Sequence, residues 1–304
     1  MYPYAVIDLG TNTFHLLIAE TDGKGFRVLY KERIFVKLGE NGVETIGRLS
    51  FERGVLAMKH YSEVMQQFRV SKVKAIGTAA LRTASNGQEF LNRVKAEADI
   101  EIETISGDLE AQLIHKGVSL AVPIEEHQKV LMMDIGGGSI EFIIANMHQV
   151  LWAQSFPIGV AVLFNKFHHS DPIAPQEITE LSAFLHETLR PLDQALQQFP
   201  VNRLIGASGT FDVLEDNLEK IKEDTNHSII QLSEFTPFLE KVLQSTQAQR
   251  YQIPQIPRER ADLIVVALLL IQVTLKKLDI DELSVSHFAM KEGILREMVL
   301  DEQS

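Results

Sequence analysis

The sequence predicts an α/β protein built as two domains of similar plan, and three observations carry that expectation. A strand–turn–strand segment, Tyr4-Ala5-Val6-Ile7-Asp8-Leu9-Gly10-Thr11-Asn12-Thr13 running on through Phe14-His15-Leu16-Leu17-Ile18-Ala19, occurs twice. Its second copy, Val130-Leu131-Met132-Met133-Asp134-Ile135-Gly136-Gly137-Gly138-Ser139 with Ile140-Glu141-Phe142-Ile143-Ile144-Ala145, aligns without a gap at an offset of 126, Val130 against Tyr4. Short β-type runs alternate with helix-period segments around both copies, which is the α/β pattern. The chain's 304 residues are enough for two hydrophobic cores.

Each copy reads as an apolar strand, an Asp-x-Gly turn and a second strand, followed by a third strand candidate at 26–32 or 149–156. Three short strands joined by tight turns predict an antiparallel meander. Ser50 is expected to cap a helix carrying Phe51, Val55, Met58, Met65 and Phe68 at helical spacing. A strand is expected over 73–76. Asn86-Gly87-Gln88-Glu89 has the capping-box pattern, with Phe90, Leu91, Val94 and Ala98 as the apolar stripe behind it. A strand over 100–105 leads to Ser106, read as the cap of a helix bearing Glu110, Leu113 and Ile114. Further on, helices are expected over 175–198, 211–222, 232–247 and 258–277, strands over 203–207 and 282–286, and a closing helix from about Ala289 to Leu300. The domain boundary falls in the loop 121–128, where Pro123 and a polar run separate the copies. This gives domains 1–125 and 126–304 with a cleft between them, and leaves the closing helix (about 289–304) free to pack back on the first.

Lys and Arg number 29 against 41 Asp and Glu, a net charge of −12, which argues against a nucleic-acid coat whose affinity would rest on basic side chains. An anionic substrate remains open, held locally by backbone amides and a metal. The absence of cysteine excludes disulfides, zinc ribbons and thiol catalysis. The ten histidines form no metal-binding pattern. The first residues lack the basic start and apolar core of a secretion signal, and the apolar run from Leu263 to Leu270 is too short to span a membrane. A soluble cytoplasmic protein, with no nucleic-acid or membrane partner, is the expectation.

The chemistry concentrates in the turns. Gly10-Thr11-Asn12 in one copy, and Gly136, Gly137, Gly138 and Ser139 in the other, offer backbone amides and hydroxyls to an anion. The acids ahead of them, Asp8 and Asp134, can hold a divalent cation. One such turn could simply close a hairpin, but two matched copies facing a cleft favour phosphate. Gly206-Ala207-Ser208-Gly209-Thr210, between a strand and a helix, is a third small-residue turn; it suits either a phosphate at Gly209 and Thr210 or tight packing. Glu110, in the first turn of its helix, suits a water-activating base, or merely sits well near a helix N-terminus. Glu141, two residues beyond Ser139, suits metal or water positioning. Arg82 could fork onto a phosphoryl group, or be a solvated loop arginine.

Together with Lys37-Leu38-Gly39, Gly77 to Asn86, Ile105 to Ile114, Pro157-Ile158-Gly159, Glu259-Arg260-Ala261-Asp262 and Lys291-Glu292-Gly293-Ile294-Leu295, these motifs make the chain resemble the Ppx/GppA family over nearly its whole length. That family comprises exopolyphosphatases and guanosine pentaphosphate phosphatases. The resemblance implies two actin-like (ribonuclease H-like) domains of the acetate/sugar kinase–Hsp70–actin superfold, with an interdomain cleft. It implies Glu110 as general base, Glu141 assisting at the water or metal, and Asp134 binding Mg²⁺. The glycine turns would then contact phosphates and Arg82 would clamp the phosphoryl group. In length the chain resembles the two-domain members.

It departs from the family pattern at Ile140 (usually Thr), Gln112 and Val162 (usually Arg), Ala289 (usually Gly) and Lys291 (usually Arg). Fewer cationic and hydroxyl groups imply a weaker grip on a polyanion. The leading expectation is a Mg²⁺-dependent exopolyphosphatase acting on inorganic polyphosphate. The alternatives are a pppGpp phosphohydrolase, a kinase of the same superfold, or a phosphate- or alarmone-binding protein that has lost turnover; a homodimer is left open. If a cleft assembles the site by closing about the loop near Pro123, Mg²⁺ with a non-hydrolysable phosphate analogue should shrink the radius of gyration in small-angle scattering. An unchanged radius at saturating ligand would favour a rigid, preformed site.

Overall fold

A computed structural model describes residues 3–21, 25–40 and 42–300; Met1, Tyr2 and residues 301–304 of the expected closing helix lie outside them. The chain first forms β1 (Tyr4–Leu9), β2 (Thr13–Thr21), β3 (Phe26–Phe35), α1 (Arg48–Gln67), β4 (Lys72–Gly77), α2 (Ala79–Thr83), α3 (Gly87–Ala98), β5 (Ile102–Thr104) and α4 (Gly107–Ala121). It continues with β6 (Val130–Ile135), β7 (Ile140–Ala145), β8 (Val150–Phe156), α5 (Val160–Phe167), α6 (Pro175–Thr188), α7 (Arg190–Gln198), β9 (Leu204–Ala207) and α8 (Gly209–Asn217). Then come β10 (Lys220–Glu223), β11 (His227–Gln231), α9 (Phe235–Leu243), α10 (Gln247–Arg250), α11 (Ile264–Leu275), β12 (Glu282–Ser286) and α12 (Met290–Leu300). The described residues of Met1–Gly117, Gly136–Gly138 and Met290–Ser304 form one compact unit, and Val118–Ile135 with Ser139–Ala289 form the other.

In the first unit the sheet order is β3-β2-β1-β4-β5. β1, β2 and β3 make the antiparallel meander, and β4 and β5 join β1 in parallel. β1 and β2 are continuous apolar runs because both faces are covered, as central strands require. Helices α1 and α3 supply one cover, where Phe90 meets Phe14 and Phe51 edge-to-face with ring centroids 6.2 and 5.2 Å apart. Tyr61, fully buried, donates its hydroxyl to the Phe14 carbonyl at 2.9 Å, and burial pushes the phenol well above its ordinary range, keeping it a donor. Helix α12 packs on β1 and reaches α4, where Gly293 lies against the Leu113 carbonyl.

The second unit's sheet runs β10-β11-β12-β9-β6-β7-β8. Its core part, β8-β7-β6-β9-β12, matches β3-β2-β1-β4-β5 strand for strand, with the same antiparallel meander and parallel pairs. Strands β11 and β10 then extend it antiparallel. Helix α11 is apolar on every side because it is buried on every side. Arg250 is 1% exposed and donates Nε to the Ala261 carbonyl at 2.6 Å, with Asp171 as its acid at 3.4 Å. At the start of α6, burial raises the Glu177 carboxyl, but hydrogen bonds from the Ser170 side chain and the Ala174, His169 and Ser170 amides outweigh it and hold the group at about 2.

Several expectations need correction. Ser50 lies inside the first turn of α1, whose N-cap is Gly47, and its hydroxyl faces Glu40. Asn86 occupies the cap position of α3, but its amide bonds both backbone groups of Ile46 instead of the helix. The span 211–222 is helical only to Asn217 before β10 begins, 175–198 divides into α6 and α7, and the regular helix within 258–277 is Ile264–Leu275. A Cβ built on Gly293 would stand 1.9 Å from the Leu113 oxygen, a backbone atom that cannot rotate away. Gly293→Ala should therefore cost about 1–3 kcal/mol in urea unfolding; wild-type stability in this variant would contradict the packing described.

Candidate functional site

The C-terminal ends of parallel strands, where α/β sheets usually present their ligands, carry the candidate residues in both units. In the first unit Gly10 donates its N–H to the Thr13 carbonyl at 3.1 Å, closing the β1–β2 turn over a buried Thr11. Gly136–Gly138 belong to the same compact unit and lie against that turn. A Cβ on Gly137 would come within 2.7 Å of the Asn12 side chain, and one on Gly138 within 2.5 Å of Thr11 Oγ1. The missing Cβ is what lets the Gly137 and Gly138 backbone lie this close to the Asn12 and Thr11 side chains.

Two further side chains stand at the same strand ends. Thr78 N–H bonds the Leu9 carbonyl and Ile105 N–H bonds the Gly77 carbonyl, which ties the exits of β4 and β5 to the end of β1. Arg82 follows β4, in the short helix α2, so it is not a solvated loop arginine. Its Nη1 donates to the Ile105 carbonyl at 2.7 Å and to Glu110 Oε2 at 3.2 Å. Ser106 caps α4 as expected, its hydroxyl accepting the Leu109 N–H at 3.2 Å, and that cap sets Glu110 in the first turn. Glu110 is 6% exposed. A carboxylate so buried is tolerable because a guanidinium compensates it.

In the second unit, cross-strand register lines up Ser155, Glu141, Asp134, Ala207 and Ser286 in one row. Cross-strand partners share a face with Cβ atoms about 4.5–5.5 Å apart, so Asp134 and Glu141 are neighbouring carboxylates. Glu141 is 2% exposed and accepts a 2.7 Å hydrogen bond from Ser155 Oγ. In the first unit the corresponding row reads Arg33, His15, Asp8, Ile76, Glu103; Asp8 thus faces a histidine where Asp134 faces an acid. At the third turn Ser208 adopts φ 83°, a strained left-handed backbone, and donates its hydroxyl to the Ile135 carbonyl at 3.1 Å. Gly209 lies directly under the Arg260 guanidinium, and Thr210 and Ser139 are buried.

Among the described residues no group of three or more His, Cys, Asp or Glu could hold a metal by itself. The Asp134–Glu141 pair nonetheless suits Mg²⁺, which takes one or two carboxylates and completes its octahedron with water and substrate phosphate. No helix among the described residues is long and apolar enough to cross a membrane.

The model of the Ppx/GppA phosphatase family matches residues 17–302. The chain belongs to the Ppx/GppA phosphatase family. A crystal structure of an exopolyphosphatase from Cytophaga hutchinsonii superposes with a TM-score of 0.93 at 37% identity, covering 98% of both chains. The Aquifex aeolicus family member superposes at a TM-score of 0.81 and 26% identity, over 100% of this chain and 99% of that one. A putative exopolyphosphatase from Haemophilus influenzae is 28% identical over 96% of this chain and 90% of its own length. The chain is an enzyme of a phosphohydrolase family, and its two sheets have the actin-like fold of the acetate/sugar kinase–Hsp70–actin superfold.

Sequence reasoning missed Ser155 and Arg260 as neighbours of the site. The register of an antiparallel meander could have found Ser155, since it lies opposite Glu141; nothing local links Arg260 to Gly209. Ser155→Ala removes a donor from a buried carboxylate and should lower stability by about 1–3 kcal/mol. An unchanged thermal midpoint would show that the bond carries no weight.

Proposed function

We propose that this chain is a Mg²⁺-dependent exopolyphosphatase that removes the terminal phosphate of inorganic polyphosphate, with Glu110 as general base. The observation that carries the reading is the pairing of half-buried Arg82 with buried Glu110 at the ends of β4 and β5, beside the Gly10–Asn12 turn. Glu110 takes a proton from water as its oxygen bonds to the terminal phosphorus. The bridging P–O bond breaks, releasing orthophosphate and a chain one phosphate shorter with the electron pair on its new terminal oxygen. Arg82 holds the Glu110 carboxylate in place and offers its remaining N–H groups to the phosphoryl oxygens. Gly10, its own N–H spent on the Thr13 carbonyl, shapes the first turn, and the amides and hydroxyls of Thr11, Asn12, Gly136, Gly137, Gly138, Ser139, Gly209 and Thr210 orient the phosphate chain.

Asp134 and Glu141 would hold Mg²⁺, with Asp8 as the equivalent acid of the first copy; the ion supplies charge neutralisation at the phosphates. A net charge of −12 makes that neutralisation necessary for a polyanionic substrate. The substrate class is also what the names of the Cytophaga and Haemophilus relatives suggest.

Purified protein incubated with polyphosphate, with pppGpp, or with ATP plus an acceptor should release phosphate fastest from polyphosphate. Glu110→Gln should lower kcat on the order of 10²–10⁴-fold with little change in binding, and excess EDTA should abolish turnover. Near wild-type turnover in the variant would remove Glu110 from the mechanism; preference for pppGpp would move the substrate to the nucleotide, and full activity in EDTA would exclude the metal.

A further inference from the structure

The chain leaving β3 folds back onto the first turn. Val36 and Lys37 both donate their N–H to the Asn12 carbonyl, at 3.0 and 2.9 Å, and Gly39 donates to the Thr11 carbonyl at 3.3 Å. To make this crossing Lys37 adopts φ 54°, in the left-handed region that glycine and asparagine enter readily and lysine seldom does. Glycine would make the same bend without strain, so the backbone gives no reason for a lysine here. What lysine adds is an ammonium group tethered beside Gly10–Asn12.

That ammonium is not consumed by structure. Lys37 is half-buried between the buried Val36 and Leu38. The acid of its own segment, Glu40, is taken by Arg53 at 2.7 Å, and the Arg53 guanidinium holds the Glu40 carboxyl below the usual range, with Lys37 acting on it only through space. Among the described residues the Lys37 side chain makes no hydrogen bond or ion pair.

We propose that Lys37 is a phosphate-binding residue of the first turn, its ammonium joining the Thr11 and Asn12 amides and the Thr11 hydroxyl on one phosphate group of the substrate chain. The inference rests on the proposed polyphosphatase reading and adds to it a cation that sets affinity rather than chemistry. In a protein of net charge −12, a lysine anchored by its backbone at the first turn is a cation well placed to add to the affinity for a polyanion.

The test uses Lys37→Gly and Lys37→Asn, which suit the left-handed backbone and remove the charge, beside Lys37→Arg, which restores it. Each is measured for polyphosphate hydrolysis and for direct binding of tripolyphosphate over a range of salt. We expect the first two to raise KM about tenfold or more at low salt while kcat changes less than about threefold. The slope of log affinity against log salt should fall by about one, the signature of one lost phosphate contact. Lys37→Arg should recover most of the affinity, and Lys37→Gly should keep or raise the thermal midpoint. Wild-type KM and salt slope in Lys37→Gly, or no rescue by arginine, would overturn the proposal while leaving the polyphosphatase reading standing. Wild-type protein that neither binds nor hydrolyses polyphosphate would overturn both.

Discussion

Parallel pairing imposes the constraint from which the rest of this structure follows. Because β4 and β5 run parallel to β1, and β9 and β12 parallel to β6, every crossover must return the chain to the opposite end of the sheet. Each parallel strand therefore finishes at the same edge. Whatever follows it there is a turn or a helix start, tied down by bonds such as Gly10 N–H to the Thr13 carbonyl and Thr78 N–H to the Leu9 carbonyl. The glycine turns, the Ser106 cap, α2 with Arg82 and the Ser208 turn all lie at these exits. Anion-binding capacity is thus a by-product of topology, refined by which side chains occupy the exits.

Burying acids at those exits requires compensation, and the two units supply it differently. Glu110 has a guanidinium 3.2 Å away, a charged partner that is itself held by a backbone carbonyl. Glu141 accepts from a serine hydroxyl, while the aspartate opposite it adds a like charge. The first arrangement favours a carboxylate fixed in one orientation, which is what proton abstraction needs. The second concentrates negative charge, which is what a hard divalent cation needs.

The fold was legible wherever the signal was local and repeated. The two Asp-Gly copies foretold two meanders, and Ser106 foretold the cap of α4, because the bonds involved span three residues. Asn86 was misread because its amide is spent on Ile46, 40 residues away, a partner no local pattern contains. Strands β10 and β11 were hidden for a similar reason: β11 exists by pairing with β12 from much later in the chain, and β10 by pairing with β11. The motifs that carry the Ppx/GppA resemblance could be read from the sequence, and the family model matches residues 17–302. The Arg82–Glu110 contact and the Ser155 bond depend on which strand lies beside which, and so appear only in three dimensions.

A scaffold used twice offers every address twice, and the two copies need not hold the same tenant. At one lattice point Asp8 faces His15; at its counterpart Asp134 faces Glu141. An acid opposite a base places no like charges side by side, whereas two acids directly opposite on adjacent strands repel. The repeated plan is therefore electrostatically lopsided: at this point the first copy sets an acid beside a base, and the second sets two acids side by side. If a cation binds that acid pair, the stabilisation it brings falls on one half of a near-symmetric design, and symmetry of backbone coexists with a division of thermodynamic labour.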